Sequence, residues 1–406
     1  TKCTKNKEDI KMGTITESAK AFMPKLSEIR RDFHMHPEVS QHEERTGKKV
    51  AEYLKEMGCD EVYENVGGYG VVGVIKGKKP GKVVALRADM DALQIQEMNE
   101  VPYKSQNDGV MHACGHDVHT SILLGAVRVL EHYRNQIAGS ILFFFQPSEE
   151  TLQGGKLFAE SPKIDFHTID GVAALHVTPD LCAGKIGVRY GAILGSSDEL
   201  TITVKGKGGH GAHPDTVIDP ILLAAQIVQA LQMLVSRELA ADESGVVSLC
   251  SIQGGNAFNI IPDTVVLKGT IRALDPKVRE HILKRIPEIC KGIAAAGRGD
   301  AEVNIKLGPP PLVSDSQWVD RVKRCGSKLL GHENVIELAH PSMGAEDFAF
   351  VMEKAPGVFV RFGSRSEGGP YGGLHSPHFY CDRKALTTGI LTLAGIALDF
   401  FDVDFE

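Results

Sequence analysis

The chain has 406 residues, with 45 basic against 52 acidic side chains and a net charge of −7. Its hydrophobic fraction of 42% and charged fraction of 24% are those of an ordinary globular protein, which excludes disorder, collagen and coiled coil. The balance leaves no basic footprint for nucleic acid, and no unbroken apolar run reaches the length of about 18 that spans a bilayer.

One hydrophobic core does not suffice at this length. Single cores stop growing at roughly 250–300 residues, so one large and one smaller domain are expected. The opening residues TKCTKNKEDIKMG are polar, lack the apolar stretch of a secretory signal and read as a loose tail. Without an initiator Met a trimmed targeting segment stays open; the cytoplasm is the expected compartment. Eight cysteines (Cys3, Cys59, Cys114, Cys182, Cys250, Cys290, Cys325, Cys381) form no C-x-x-C pair, which argues against a zinc ribbon or a thioredoxin-type motif. Most stand beside apolar residues, as in Ser248-Leu249-Cys250, and are expected to be buried free thiols. Cys114 differs in its polar, glycine-flanked setting.

Helical periodicity appears over 19–33 and returns at Val50, Ala51, Leu54 and Met57, which share one helix face. The β-branched runs 71–75 and 83–86 follow, separated by the turn-forming Lys78-Lys79-Pro80-Gly81. A helix is predicted over 122–133, and short, wholly apolar strands over 141–145 and 171–177. Such strands suit a sheet covered on both faces. From about 195 to 308 the rhythm changes. Strand 199–205 leads to a helix over 220–239 capped by Asp219 with Pro220 at its first position. Strands 246–252 and 264–273, a helix over 277–295 after Asp275-Pro276, and strand 303–307 complete the set. This β-α-β-β-α-β order is ferredoxin-like, with one sheet face under two helices. Pro309-Pro310-Pro311 marks the return to the first domain, which ends in a surface-packing helix over 385–400. The expected architecture is α/β, with a first domain over 1–194 and 309–406 interrupted by a compact unit over 195–308. Gly206–Gly211 lacks the G-x-x-x-x-G-K-[ST] pattern of a phosphate loop and reads as a tight turn.

Candidate metal ligands follow apolar strands or precede a helix. HACGHDVH (112–119) comes before the helix at Ile122, QPSEE (146–150) follows strand 141–145, and His176 ends strand 171–177. His375 sits in a Gly/Pro-rich loop. Binding sites of open α/β sheets form beyond the carboxyl ends of the strands. Taken singly, each segment fits a solvated or locally bonded side chain, the reading given to His34, His132, His167 and His332. Together, Cys114, His116, Glu150, His176 and His375 suit a borderline divalent ion such as zinc, manganese or cobalt. Two-metal hydrolytic sites hold their ions about 3.5–4 Å apart and need a bridging ligand, which Cys114 or Glu150 can supply. In Glu149-Glu150 one carboxylate can bind metal while the other acts as general base. His116 and His119 can share a helical face toward metal or bond locally.

The chain resembles the amidohydrolase branch of the aminoacylase/carboxypeptidase metallopeptidase family, which includes hippurate hydrolases, N-acyl-amino-acid amidohydrolases and indoleacetyl-amino-acid hydrolases. The matching segments are RRDFHMHPEVS (30–40), RADMDAL (87–93), HACGHDVHTS (112–121), FFQPSEE (144–150), ALHV (174–177), GKGGHGAHP (206–214), GGNAFNIIPD (254–263), GAEDFAF (344–350) and LHSPHF (374–379). The resemblance implies a mixed-sheet, aminopeptidase-like catalytic domain with two divalent metals, manganese or zinc with cobalt and nickel as alternatives, interrupted by a ferredoxin-like lid. It implies that Cys114 bridges the metals, that His116 and His176 complete one site and Glu150 and His375 the other, and that Glu149 is general base and then proton donor. His210 corresponds to the histidine that reaches the substrate carbonyl, often in a partner subunit, which implies a homodimer through the lids; His213 competes for that role. Asn259 and Arg272 correspond to positions near the substrate carboxylate. More distant relatives have His-x-Asp where this chain has Asp89-Met90-Asp91. Asp91 is expected to orient a ligand, and the role of Asp89 stays open. Cys381 and Arg383 stand where acidic residues are common in relatives.

The activity so implied is hydrolysis of N-acyl-amino acids. A metallo-carboxypeptidase acting on short peptides shares the chemistry. A Cys114 nucleophile with His116 or His119 as base is disfavoured by their close spacing, and a non-catalytic binding protein is disfavoured by the intact Glu149.

Overall fold

The computed structural model describes residues 14–369 and 371–405; Cys3 and the rest of the expected polar tail lie outside them. The chain divides into two compact units. One takes the described residues up to Val188 together with Asp315–Glu337 and those from Lys354 onward. The other takes Arg189–Ser314 and Leu338–Glu353.

The first unit is built on an eight-stranded mixed sheet. From one edge its strands run Glu61–Val66, Gly70–Lys76, Ala138–Gln146, Lys79–Asp89, Gly171–Cys182, Gly357–Arg365, Ile186–Val188 and Val335–Glu337. The four strands from Ala138–Gln146 to Gly357–Arg365 are mutually parallel. Their apolar residues are buried throughout, as the sequence pattern required. The two β-branched runs are not partners. Ala138–Gln146 lies between them, antiparallel to the first and parallel to the second. The expected turn at Lys79-Pro80-Gly81 is absorbed into the second strand as an irregularity between Lys79 and Lys82, a position where Pro costs no ladder bond.

Helices Ile15–Met35, His116–Tyr133 and Lys384–Phe400 pack on one another, and the latter two also pack on the sheet. The first begins before the predicted 19 because Thr14 and Glu17 form a reciprocal capping box. The second begins at His116 rather than Ile122, so residues 116–121, expected ahead of the helix, form its first turns. The last helix is not a surface element. Almost all of it is buried, and Gly389 lets Ile122 approach so closely that an added Cβ would lie 2.3 Å from it. Of the described cysteines none is paired; Cys114, Cys290, Cys325 and Cys381 are buried, whereas Cys250 is exposed. Residue 250 sits at an irregularity between Leu249 and Ser251 on an edge strand, which turns the thiol outward.

The second unit carries a four-stranded sheet ordered Gly245–Gln253, Thr264–Ala273, Asp198–Lys205, Asp300–Lys306, every pair antiparallel. Helices Pro220–Met233 and Pro276–Ala296 complete the β-α-β-β-α-β order and share a buried apolar cluster with the sheet. Asp219 and Asp275 cap them, each accepting two backbone N–H groups behind a first-turn proline. Segment Pro220–Glu238 is 19 residues long and apolar enough on average to match a membrane span by length and composition. Gln226, Gln229 and Gln232 interrupt it, while Leu223, Ala224, Ile227 and Leu231 pack into the cluster. Residues 338–353 join this unit through Arg189, which donates to the carbonyls of Leu338 and Ala339, and through a bridge between Leu194 and Ser342.

Because the C-terminal helix is core, Leu393→Ala should lower the unfolding free energy by about 2–5 kcal/mol, read as a fall in the denaturant midpoint. A surface helix would give a change within about 0.5 kcal/mol.

Candidate metal centre

The parallel ladder sets the level at which the site forms. Asp89 pairs in register with Gln146, and Arg87 with Ala174. Two residues further along that register place Asp89 beside His176. Asp89, Asp91, the Pro147–Glu150 turn and His176 therefore gather at the carboxyl ends of neighbouring strands. Strand Gly171–Cys182 runs on past His176, so this histidine projects from within the strand rather than from its end. Helix His116–Tyr133 starts over the same edge. Its N-cap, Gly115, has φ +82, and a Cβ there would meet Val177 at 2.8 Å, which restricts the position to glycine.

Five of the expected residues come together. Cys114 Sγ lies 3.4 Å from His176 Nε2. The donor atoms of Cys114, His116 and Glu150 lie within 4.8 Å of one another, and His375 Nε2 is 3.5 Å from Glu150 Oε2. His375 is held in the left-handed region, φ 60, and its N–H bonds to Ala113 O. Glu149 is buried on the same turn, with Oε2 4.0 Å from His116 Nε2.

Hydrogen bonds fix the ring tautomers. His176 Nδ1 faces the Val177 carbonyl at 2.8 Å and must donate, which turns the lone pair of Nε2 toward Cys114. His116 Nδ1 donates to Asp91 at 3.1 Å, leaving Nε2 as the outward nitrogen. Metal-binding histidines are commonly held in this way. His119 is different: Nε2 accepts the Val177 N–H at 2.9 Å and Nδ1 donates to Asp89 at 2.6 Å. Both nitrogens are engaged, so His119 orients its neighbours although it lies in a group with Asp89, His116 and His176. Arg87, fully buried, donates to Asp89 at 2.8 Å and to Gln146 at 3.0 Å.

The electrostatics favour a cation. Burial alone would lower the His116 imidazole and raise the Asp89 carboxyl, but their mutual attraction, with Asp91 and Cys114 acting on His116, drives His116 well up and Asp89 well down. Hydrogen bonding to Cys114 and Glu150 lifts His375 to about 10. Burial, with His119 and Arg361 nearby, pushes His176 well down, as a nitrogen donor requires. His116 Nε2 and Glu150 Oε1 are buried without hydrogen-bond partners. Each such group costs about 1–3 kcal/mol if left so. The donor set of one thiol, three imidazoles and one carboxylate, with unspent valence aimed inward, fits divalent metal.

Residues 85–399 match the peptidase family M20/M25/M40. The N-acetylcysteine deacetylase of Bacillus subtilis (strain 168) is 36% identical over 379 residues, 93% of this chain and 97% of that protein. The hippurate hydrolase of Campylobacter jejuni subsp. jejuni is 38% identical over 377 residues, 92% of this chain and 96% of that protein. The chain belongs to this family. Its fold matches a solved M20 structure, the Bacillus subtilis YXEP protein described as a dinuclear metal binding peptidase. The TM-score is 0.81 at 33% identity, over 95% of this chain and 99% of that one. This M20 chain is a hydrolytic enzyme with a candidate metal site.

The remaining expected residues lie in the second unit. His210 and Ile260 pair across a two-stranded ladder that sets Asn259 next to it, and Asn259 O accepts from Gly211 N–H at 2.9 Å. His210 and His213 rings stand 5.3 Å apart, both exposed. Arg272 is half-buried on strand Thr264–Ala273.

Sequence reasoning passed over a second polar layer behind the M20 site. His34, read there as an ordinary histidine, is buried between Asp117 at 2.8 Å and Glu97 at 3.2 Å. Arg30 reaches the same Asp117 oxygen at 2.7 Å. Two carboxylates on its two nitrogens require both to donate, so His34 is an imidazolium, its pKa raised by Asp117 and Glu97 against the pull of burial. The i, i+4 spacing of Arg30 and His34 in RRDFH was the available signal.

Burial would raise Asp117, but Arg30 and His34 hold it well below the usual carboxylate range. Its contribution to stability is therefore present above the unfolded value of about 3.9 and lost as pH falls below it. Asp117→Asn should cost about 3–5 kcal/mol at neutral pH and flatten the acid limb of stability, measured by denaturant unfolding at a series of pH values.

Proposed function

We propose that this enzyme is a metal-dependent amidohydrolase of N-acyl-amino acids, releasing a carboxylic acid and a free amino acid. The observation that carries it is the Glu149-Glu150 turn: one carboxylate facing Cys114, His116 and His375, its neighbour buried 4.0 Å from His116. The deacetylase and hippurate hydrolase names of the relatives favour acetyl or benzoyl groups. Cys114, His116, Glu150, His176 and His375 would hold two divalent ions, manganese or zinc. When bound, such ions supply Lewis acidity toward the scissile carbonyl and toward water. Glu149 takes a proton from the attacking water and later returns it to the departing amine nitrogen, so that base and acid are one group. Asp91 and His119 keep the imidazoles aimed, and burial around Glu149 keeps bulk water from competing for its proton.

By motif resemblance, His210 donates to the developing oxyanion, and Asn259 and Arg272 receive the substrate carboxylate. Assembly as a homodimer through the second unit is part of the same reading. The free described cysteines suit a reducing compartment such as the cytoplasm.

Release of amino acid from N-acetyl- and N-benzoyl-amino acids should stop on chelation and return with added manganese or zinc. Release that ignores the chelator would remove the metal from the reaction. Glu149→Gln should retain metal and lower kcat by about 10²–10⁴-fold; unchanged turnover would take Glu149 out of the proton-transfer role.

A further inference from the structure

The metal-binding turn is not held by its own strand alone. Ser148 has φ 61, a conformation that side chains disfavour, and stays there through hydrogen bonds from the segment between the first two helices. The Ser148 N–H and Oγ both donate to Glu43 Oε1, at 2.7 and 2.9 Å, and the Gln41 N–H donates to Ser148 Oγ at 2.8 Å. Ser40 Oγ donates to Asp91 Oδ2 at 2.6 Å, the same oxygen that accepts the Glu150 N–H at 3.0 Å. Residues 40–43 thus grip the turn at Ser148 and the carboxylate that orients His116 and Glu150.

Glu43 is unusual within this clamp. It stands at the N-cap of helix Glu44–Glu56, where a side chain normally bonds to the first turn, yet it makes no cap bond. Its side chain is fully buried, and Oε2 has no hydrogen-bond partner. A buried acid with one oxygen unsatisfied is a poor way to stabilise a fold. The same acid is a good way to fix the direction of a turn two residues from a metal ligand.

We propose that Glu43 is a positioning residue for the metal centre, setting the aim of Glu149 and Glu150 through Ser148. The proposal rests on the hydrolytic reading for its kinetic part only. Without the Glu43 acceptor, the two Ser148 donors lose their partner and the turn can tilt. A displacement of about 1 Å at reacting groups is enough to cost about 100-fold in rate.

The test compares Glu43→Ala, Glu43→Gln and Ser148→Ala with the wild-type full chain. Mn²⁺ affinity is measured by chelator competition, and kcat and KM at saturating Mn²⁺. Glu43→Ala should bind Mn²⁺ about 10–100-fold more weakly. At saturation it should show kcat reduced about tenfold or more, with KM within about threefold. Glu43→Gln keeps an oxygen for both Ser148 donors and should recover most of both losses. Should Glu43→Ala fail to fold, Ser148→Ala, which removes one hydroxyl, carries the same expectation in milder form. Wild-type affinity and kcat in Glu43→Ala, whatever its melting temperature, would make Glu43 a mere core residue and overturn the proposal. No recovery in Glu43→Gln would overturn it too, because the loss would then belong to charge rather than to aim. If the wild type releases no amino acid at all, the hydrolytic reading falls, while the Mn²⁺ affinities still decide the role of Glu43.

Discussion

Arg87 and Asp89 are both sealed from solvent at the carboxyl end of the central strand, 2.8 Å apart. Opposite charges taken out of water repay their desolvation only when every remaining N–H and lone pair finds a partner. Gln146 takes the Arg87 Nε at 3.0 Å, and His119 takes the other oxygen of Asp89 at 2.6 Å. Satisfying this pair already fixes the ends of two adjacent strands and the first turn of the helix after Gly115. His116 and His176 then have few orientations left. Much of the precision of the metal centre follows from having to neutralise a guanidinium where no water reaches.

The polar groups fall into two roles. Asp89 is held by Arg87 and His119, and Asp91 by His116, Ser40 and the Glu150 N–H; one layer behind, His34 lies between Asp117 and Glu97, with Arg30 beside Asp117. At the metal centre His116 Nε2 and Glu150 Oε1 remain without hydrogen-bond partners, and in the layer behind so do Arg30 Nε and Asp117 Oδ1. The open donors at the centre are thereby few, while most of the surrounding charge sits beside an opposite charge. Low dielectric strengthens such pairs and penalises any unpaired member, so the same burial that makes the scaffold rigid makes the open donors eager for a cation.

Much of this was legible in the residues. The wholly apolar strands, the Asp-Pro helix starts at 219 and 275, and the ferredoxin-like order all follow from local patterns whose physical cause is short-range. The donors stand out in the sequence because Cys114 and His116 precede or open a helix, Glu150 follows a strand, His176 lies in an apolar strand and His375 sits in a Gly/Pro-rich loop. What escaped was long-range or ambiguous. Residues 116–121 are expected ahead of the helix because histidine and aspartate are weak helix formers, yet packing against neighbouring helices carries them into it. The C-terminal helix is nearly as apolar on all sides as a buried element, but periodicity alone did not say what would cover it. Glu43 and Glu44 look like any solvated acidic pair at a helix start; nothing local tells that the first is sealed against a turn about a hundred residues away.

The donors of the centre are spread widely along the chain, and this has a consequence for how the protein is made. Asp89 and Cys114 leave the ribosome early. His375, which bonds through its N–H to Ala113, and Phe379, which lies against Gly115, come roughly 260 residues later. At ordinary elongation rates that interval is about 15–50 s. Until then the chain carries Cys114, His116 and, once made, His176 without His375. The centre is therefore completed last, by the segment that also brings the final core helix.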